Sequence, residues 1–271
     1  MNNIRVILAG VTGWVGRALL PAIVASSDLR LVAAVARGAA GRDAGEAIGG
    51  KPLGVTVVAT LAEALATPSD VLVDYTKPDV VGRNTLAAIA AGRHVVIGTS
   101  GLGADEYARI DQAARAKGVG VLAAGNFSIT ATLLKRFALE AARYVPDVEI
   151  IDYASAGKPD TPSGTGRELA EALAAVRGAS TAKPVDELGG IRETRGAAVG
   201  EGPNGGVRLH ALRMPSFVLS VEAVFGADNE RLAIRHDAGS SAAPYVAGTL
   251  LAIRRVAEKA GLRRGLDTLM D

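Results

Sequence analysis

The sequence predicts an α/β protein, with a doubly wound, Rossmann-like nucleotide-binding domain followed by a smaller α+β domain. Three observations carry this. An unbroken apolar run at residues 4–9 (IRVILA) leads at once into a glycine-rich stretch and then a helical pattern. From there to residue 125, strand-length apolar runs alternate with helix-length segments, as in a parallel sheet flanked by crossover helices. Beyond residue 130 the alternation stops, and strand patterns follow one another across short turns.

The elements read in order as follows. Residues 4–9 lack polar alternation, as a strand buried on both faces does. Residues 18–25 predict a helix that Asp28 ends, and residues 29–36 (LRLVAAVA) a second strand. Residues 37–54, rich in glycine, alanine and charge, read as loop. A short strand at 55–59, a short helix at 61–66 and a strand at 71–75 (VLVDY) follow, the last ending in the turn Thr76-Lys77-Pro78. Helices at 80–91 and 106–117 each stop at a glycine, as helix C-caps do. Strands at 94–97 and 120–124 complete the first half. The second half predicts a helix at 130–144, a strand at 148–155, a helix at 165–176 and a glycine-rich loop at 178–206. Strands at 207–213, 218–225 and 231–236, joined by short turns, read as antiparallel. An amphipathic helix at 242–259 is expected to return to the first domain. The expected limits are 1–129 for the dinucleotide-binding domain, 130–240 for the substrate and oligomerisation domain, and 241–271 for the returning helix.

Composition narrows the function classes. A chain of 271 residues is long for one core and suits two modest domains. Aromatics are 4% of a chain that is 49% hydrophobic, so Ala, Val, Leu and Ile must fill the interior. The 30 basic and 28 acidic residues are scattered, which argues against a nucleic-acid partner. The absence of cysteine excludes disulfides, thiolate catalysis and cysteine metal sites. His94, His210 and His236 lie far apart in sequence, so no metal is expected. The first ten residues lack a signal peptide's basic start and long apolar middle. No stretch approaches the roughly 20 apolar residues that span a bilayer. A soluble, cytoplasmic protein without a membrane partner is expected.

The stretch Gly10-Val11-Thr12-Gly13-Trp14-Val15-Gly16-Arg17 follows the first strand and opens the first helix. Glycines there let the backbone turn tightly and approach a pyrophosphate, and the helix start supplies N–H groups and positive partial charge. At the end of the second strand, where NAD-preferring domains place an acid, stands Ala36-Arg37-Gly38. Arg37 suits a 2′-phosphate, so NADPH is expected over NADH, although a plain surface arginine fits the same pattern. Three more strand ends should reach the same crevice: Asp74-Tyr75-Thr76, Gly98-Thr99-Ser100 and Gly125-Asn126-Phe127. Ligands of open α/β sheets bind at the carboxyl ends of the strands, so these residues are candidates for the nicotinamide and its ribose.

Together GVTGWVG, VDYTKP (73–78), GTSG (98–101), NFS (126–128), KPDTPSGT (158–165) and HALR (210–213) resemble the 4-hydroxy-tetrahydrodipicolinate (dihydrodipicolinate) reductases of lysine and diaminopimelate synthesis. The resemblance covers nearly the whole chain. It implies a nucleotide domain, a substrate domain with an open mixed sheet, and a homotetramer, or a dimer, built on that sheet. It further implies hydride transfer from NAD(P)H to a small, unsaturated cyclic imine dicarboxylate. By the same resemblance, backbone groups of Gly164 and Thr165 hold a substrate carboxylate, Lys158 neutralises charge and donates a proton, and Ser155 and Ser163 stand at substrate positions. The helix starting near Thr165 fits this, because it presents N–H groups and a favourable dipole. Thr165 and Glu168 also make a capping-box pattern that would stabilise the helix without any ligand.

One departure stands out. The family pattern E-x-H-H-x-x-K places two histidines where this chain has Ala154 and Ser155, and Asp152 in the place of the acid. Alanine cannot carry a proton, and serine is a poor acid near neutrality. Loss of a positioned general acid lowers rates by about 10²–10⁴-fold. The proton is then left to Lys158, Tyr153 or water. Two alternatives to the family reaction remain open at this point: a divergent imine reductase or amine dehydrogenase on the same scaffold, and an NADPH-binding sensor without turnover.

Overall fold

Strand β1 (Ile4–Ala9) lies inside a seven-stranded, all-parallel sheet. Its side chains alternate between two cores: Val6 and Leu8 enter one, Ile7 and Ala9 the other, and all four are shut from solvent. Burial on both faces is why the run is apolar throughout. The computed structural model describes residues 3–183, 187–190 and 195–270. The chain divides into two units, Met1–Ile129 with Ala242–Asp271, and Thr130–Ser241.

In the first unit, β1 is joined by β2 (Leu29–Val35), β3 (Val57–Val58), β4 (Val71–Asp74), β5 (His94–Ile97), β6 (Gly120–Ala123) and β12 (Gly261–Arg264). Their order is β12-β6-β5-β4-β1-β2-β3. The direction of winding reverses between β1 and β4, the switch point at which such sheets bind ligands. Helices α1 (Trp14–Ala25) and α8 (Ala243–Arg255) line one face through Leu19, Leu20, Ile23, Ala252 and Ile253. Helices α3 (Leu61–Leu65), α4 (Pro78–Ala90) and α5 (Ala104–Lys117) line the other. The segment after β2, read as loop, contains a 3-10 turn at Arg37–Ala39 and one helical turn, α2 (Ala44–Ala47). Asp43 organises it by accepting N–H bonds from Gly45, Glu46, Leu53, Gly54 and Val55, which hold its carboxyl below the usual range. The C-terminal helix is shorter than its pattern suggests. It ends at Arg255, passes through a 3-10 turn, and delivers β12 as an edge strand beside β6.

The second unit is a five-stranded mixed sheet, in the order β11-β10-β7-β9-β8. Its strands are β7 (Asp147–Ala154), β8 (Ala197–Val199), β9 (Val207–Arg213), β10 (Leu219–Ala227) and β11 (Glu230–Ala238). Helices α6 (Ile129–Ala141) and α7 (Gly164–Val176) bury Leu134, Ala138, Leu169 and Leu173 against Ile150, Leu209, Val221 and Phe225. Two expectations are corrected here. β10 and β11 form the antiparallel hairpin expected, but β9 does not pair with β10. β7 lies between them, parallel to β9 and antiparallel to β10. The loop expected over 178–206 contains β8, antiparallel to β9, while residues 184–186 and 191–194 of that loop lie outside the described residues.

Candidate functional site

The predicted cofactor residues all fall at the carboxyl ends of β1, β2, β4, β5 and β6, on one edge of the first sheet. The glycine loop meets the β4 turn at the switch point, where Tyr75 N–H donates to the Ala9 carbonyl at 3.0 Å. Gly10 has φ +85°, and a Cβ there would fall 2.2 Å from the Tyr75 carbonyl. A Cβ on Gly16 would fall 2.2 Å from the Gly10 carbonyl, so only glycine lets α1 seat this close to the loop. Gly13 is the N-cap of α1, exposed and without a side-chain cap. The first-turn N–H groups of Trp14, Val15 and Gly16 therefore have no carbonyl to bond within their helix, and they suit an anion. Arg17 braces the loop, its guanidinium donating to the carbonyls of Thr12 and Ile48. Trp14, half exposed, packs edge-on against Tyr245 of α8 with ring centroids 5.5 Å apart. This cradle, closed to any Cβ at Gly10 and Gly16 and open at Gly13, fits a dinucleotide pyrophosphate.

The neighbouring strand ends are knitted by the acid that opens the β4 turn, a bracing role the sequence reading did not give it. Asp74, fully buried, accepts bonds from Thr76 N–H (2.9 Å), Thr76 Oγ1 (2.5 Å), Asn84 Nδ2 (2.9 Å) and Thr99 Oγ1 (3.2 Å). One carboxylate thus fixes the turns after β4 and β5 to α4. The signal was the acid directly before Tyr75-Thr76, but its partners lie 10 and 25 residues away. The Tyr75 ring lies over Gly98, where a Cβ would fall 2.1 Å from it. Its hydroxyl bonds Thr249, and burial pushes its pKa up, so it stays a neutral phenol. Phe127 is buried in the core with its ring against Tyr75. Its side chain is thus part of the core that supports this strand end. Asn126 turns its Oδ1 back onto Ser128 N–H. Ser100 is exposed, as is Arg37, which makes no hydrogen bond or ion pair among the described residues.

In the second unit the sequence-predicted residues occupy the loop between β7 and α7. Lys158 Nζ pairs with Asp160 at 2.8 Å and is half-buried. Ser155 is exposed, and its carbonyl accepts Lys158 N–H. Gly164 and Thr165 open α7, so their N–H groups lie in its first turn. One reading changes. The cap of α7 is Ser163, whose Oγ accepts Gly166 N–H, and not Thr165. Ser163 itself is buried and spent on Asp152, donating its N–H at 2.7 Å and its Oγ–H at 2.6 Å. Its side chain therefore supports the start of α7 from within.

The proton donors also narrow. Ala154 is fully buried at the end of β7, on the same face as Asp152. Strand alternation turns Tyr153 to the opposite face. There its hydroxyl donates to Glu222 at 3.0 Å, and Arg235 lies over its ring. Burial and Glu222 raise its pKa, which makes it a poor acid. Tyr153 thus faces away from Asp152 and Ala154, which favours Lys158 or water over it as the proton source. His210 bonds Glu149 on that outer face, and His94 Nδ1 accepts Gly120 N–H. The outer face also carries a groove of about 770 Å³, lined by Glu149, Ile151, Arg208, His210 and Leu212, and none of the predicted site residues borders it.

A glycine-cradled helix start at the switch point of a parallel sheet, in a chain that also carries a cationic loop at a second helix start, defines the class. This is a nicotinamide-dinucleotide oxidoreductase. More narrowly, the chain belongs to the dihydrodipicolinate reductase family. The family's N-terminal profile ("Dihydrodipicolinate reductase, N-terminus") matches residues 4–127, and its C-terminal profile matches residues 130–270. A protein of Desulfitobacterium hafniense (strain DSM 10664 / DCB-2) named 4-hydroxy-tetrahydrodipicolinate reductase is 36% identical, with 100% of both chains covered. One of the same name from Synechococcus elongatus is 37% identical over 99% of both. Among solved structures, dipicolinate-bound dihydrodipicolinate reductase from Paenisporosarcina sp. TG-14 superposes with a TM-score of 0.77 at 28% identity, covering 98% of this chain and 99% of that one. Among the described residues no helix is long and apolar enough to cross a membrane, and no group of His, Cys, Asp and Glu could hold a metal ion.

Proposed function

We propose that this chain is a 4-hydroxy-tetrahydrodipicolinate reductase that uses NADPH in preference to NADH. The observation that carries the reading is the loop from Lys158 to Thr165. It combines a half-buried ammonium with two N–H groups at a helix start, the chemistry that holds and neutralises a small carboxylate. Full-length kinship with proteins of that name supplies the substrate class, an unsaturated cyclic imine dicarboxylate. The glycine loop, the Asp74-braced turns and Arg37 would hold the dinucleotide, which when bound supplies the hydride. Arg37, unpaired and exposed at the end of β2, supports the 2′-phosphate preference.

On this reading Gly164 and Thr165 N–H groups orient one carboxylate. Lys158, held by Asp160, offsets the negative charge and supplies the proton that completes the reduction of one double bond. A lysine acting without a neighbouring imidazole suits a slower enzyme, because hydride transfer depends mostly on positioning. The outer face of the second sheet, with its groove and its Glu149–His210 pair, supports a homotetramer built on that face. The test is NADPH oxidation with freshly generated substrate. Saturable oxidation, inhibited competitively by dipicolinate, is expected. Tight NADPH binding with no oxidation at any substrate concentration would overturn the proposal.

A further inference from the structure

The loop that presents Lys158, Gly164 and Thr165 is tied to the sheet behind it by one carboxylate and one guanidinium. Asp152 has no exposed surface, and Arg213 is 15% exposed, so the pair sits almost wholly out of water. Asp152 Oδ2 accepts Ser163 N–H at 2.7 Å and Arg213 Nη2 at 2.9 Å, and Oδ1 accepts the Ser163 hydroxyl at 2.6 Å. Arg213 reaches further. Its Nη2 donates to the Asp160 carbonyl at 2.8 Å, and its Nη1 donates to the carbonyls of Asp152 (3.1 Å) and Leu212 (2.9 Å). The loop packs hard against this pair. A Cβ on Gly166 would fall 3.2 Å from Asp152 Cγ.

Both ends of the anion loop therefore hang on Arg213. At one end it holds the backbone of Asp160, the residue whose side chain holds Lys158. At the other it holds Asp152, which fixes Ser163 and, through the Ser163 cap on Gly166, the direction of the first-turn N–H groups of α7. We infer that Arg213 is a positioning residue for the dicarboxylate, acting through Asp152, Ser163 and Asp160 without touching the ligand. This deepens the functional reading above and rests on it. A planar fork is needed, because Nη2 bonds the Asp152 carboxylate and the Asp160 carbonyl while Nη1 bonds the carbonyls of Asp152 and Leu212, and a single ammonium cannot reach all four. Removing the guanidinium leaves a buried carboxylate without its cation, so the loop should shift and not merely soften.

The experiment compares Arg213→Lys and Arg213→Met with the parent chain. Dipicolinate affinity and NADPH affinity are read by calorimetry, and KM and kcat by NADPH oxidation. Arg213→Met is expected to weaken dipicolinate and raise the substrate KM about 10- to 100-fold, the range for lost hydrogen bonds to charged groups. Arg213→Lys, which keeps a cation beside Asp152 and so protects folding, is expected to show a smaller loss in the same direction. NADPH affinity is expected to stay at the parent's value in both. Unchanged dipicolinate affinity and KM in Arg213→Lys, or an equal loss of NADPH and dipicolinate, would overturn the inference. If the parent itself neither binds dipicolinate nor turns over, the functional reading fails separately. Amide hydrogen exchange over residues 160–166 then decides: faster exchange in Arg213→Lys supports the positioning role, and unchanged exchange refutes it.

Discussion

Two glycines of one loop should fail in different ways when given a methyl group. At Gly16 a Cβ would sit 2.2 Å from the Gly10 carbonyl oxygen and 2.7 Å from that of Val11, both backbone atoms with no rotamer to move away. Ordinary contact begins near 3.4 Å. Helix α1 must therefore back away by about 1 Å, and overpacking of this kind destabilises by about 1–3 kcal/mol. At Gly13 the same Cβ would be 3.1 Å from the Gly10 carbonyl, with φ at −71°, a conformation open to any residue. Gly13→Ala should hence leave stability within about 0.5 kcal/mol, since the tight contact is offset by reduced freedom in the unfolded chain. Its methyl group, however, stands where a pyrophosphate must approach the first-turn N–H groups. Losing charge-assisted bonds there corresponds to about 1.5–3 kcal/mol, or a roughly 10- to 100-fold weaker Kd. Urea denaturation and calorimetric titration with NADPH read the two effects. Gly13→Ala binding NADPH as tightly as the parent would refute the placement of the pyrophosphate. Gly16→Ala as stable as the parent would refute the packing argument.

Other consequences are as direct. Arg37→Ala should weaken NADPH by about tenfold and NADH little, as the loss of one phosphate-pairing guanidinium implies, and the difference should shrink with added salt; equal losses would show that Arg37 does not read the 2′-phosphate. Lys158→Met should lower kcat/KM by about 10²-fold or more while NADPH affinity holds, and a parent-like rate would remove Lys158 from the reaction. His94 is held neutral by burial, and its Nδ1 accepts Gly120 N–H, which a protonated ring cannot do. Its pKa is lowered in the folded state, so the unfolded chain binds the proton first. Stability is complete above the ordinary histidine value near 6.5 and is lost as pH falls below it. His94→Gln should flatten the slope of the urea midpoint against pH in that window, and an unchanged slope would place the titration elsewhere.

The first unit was legible because its information is local. The apolar run at Ile4–Ala9, the glycines after it and the glycine stops at Gly92 and Gly118 each announce an element within a few residues. The second unit was legible in its elements and not in its pairing. Nothing near residues 207–213 says that β7, some sixty positions earlier, will lie between β9 and β10. β12 escaped because Gly261–Arg264 is half arginine and becomes a strand only by pairing with Gly120–Ala123. In the site, Ser163 and Thr165 are equally good caps on paper. What decides between them is the buried carboxylate of Asp152, eleven residues away. Longer separations, of 25 and 53 residues, hid Asp74's role toward Thr99 and Arg213's toward Asp160. The face of Tyr153 was readable from strand alternation once β7 was known to end at Ala154.

The central claim is that hydride passes from the bound dinucleotide to a cyclic imine dicarboxylate. It is tested most directly with NADPH deuterated at the transferable position, freshly generated substrate and mass spectrometry of the product. The account predicts one deuterium in the product for each NADPH oxidised. Oxidation that leaves no deuterium in the product, or no oxidation despite tight NADPH binding, would contradict it.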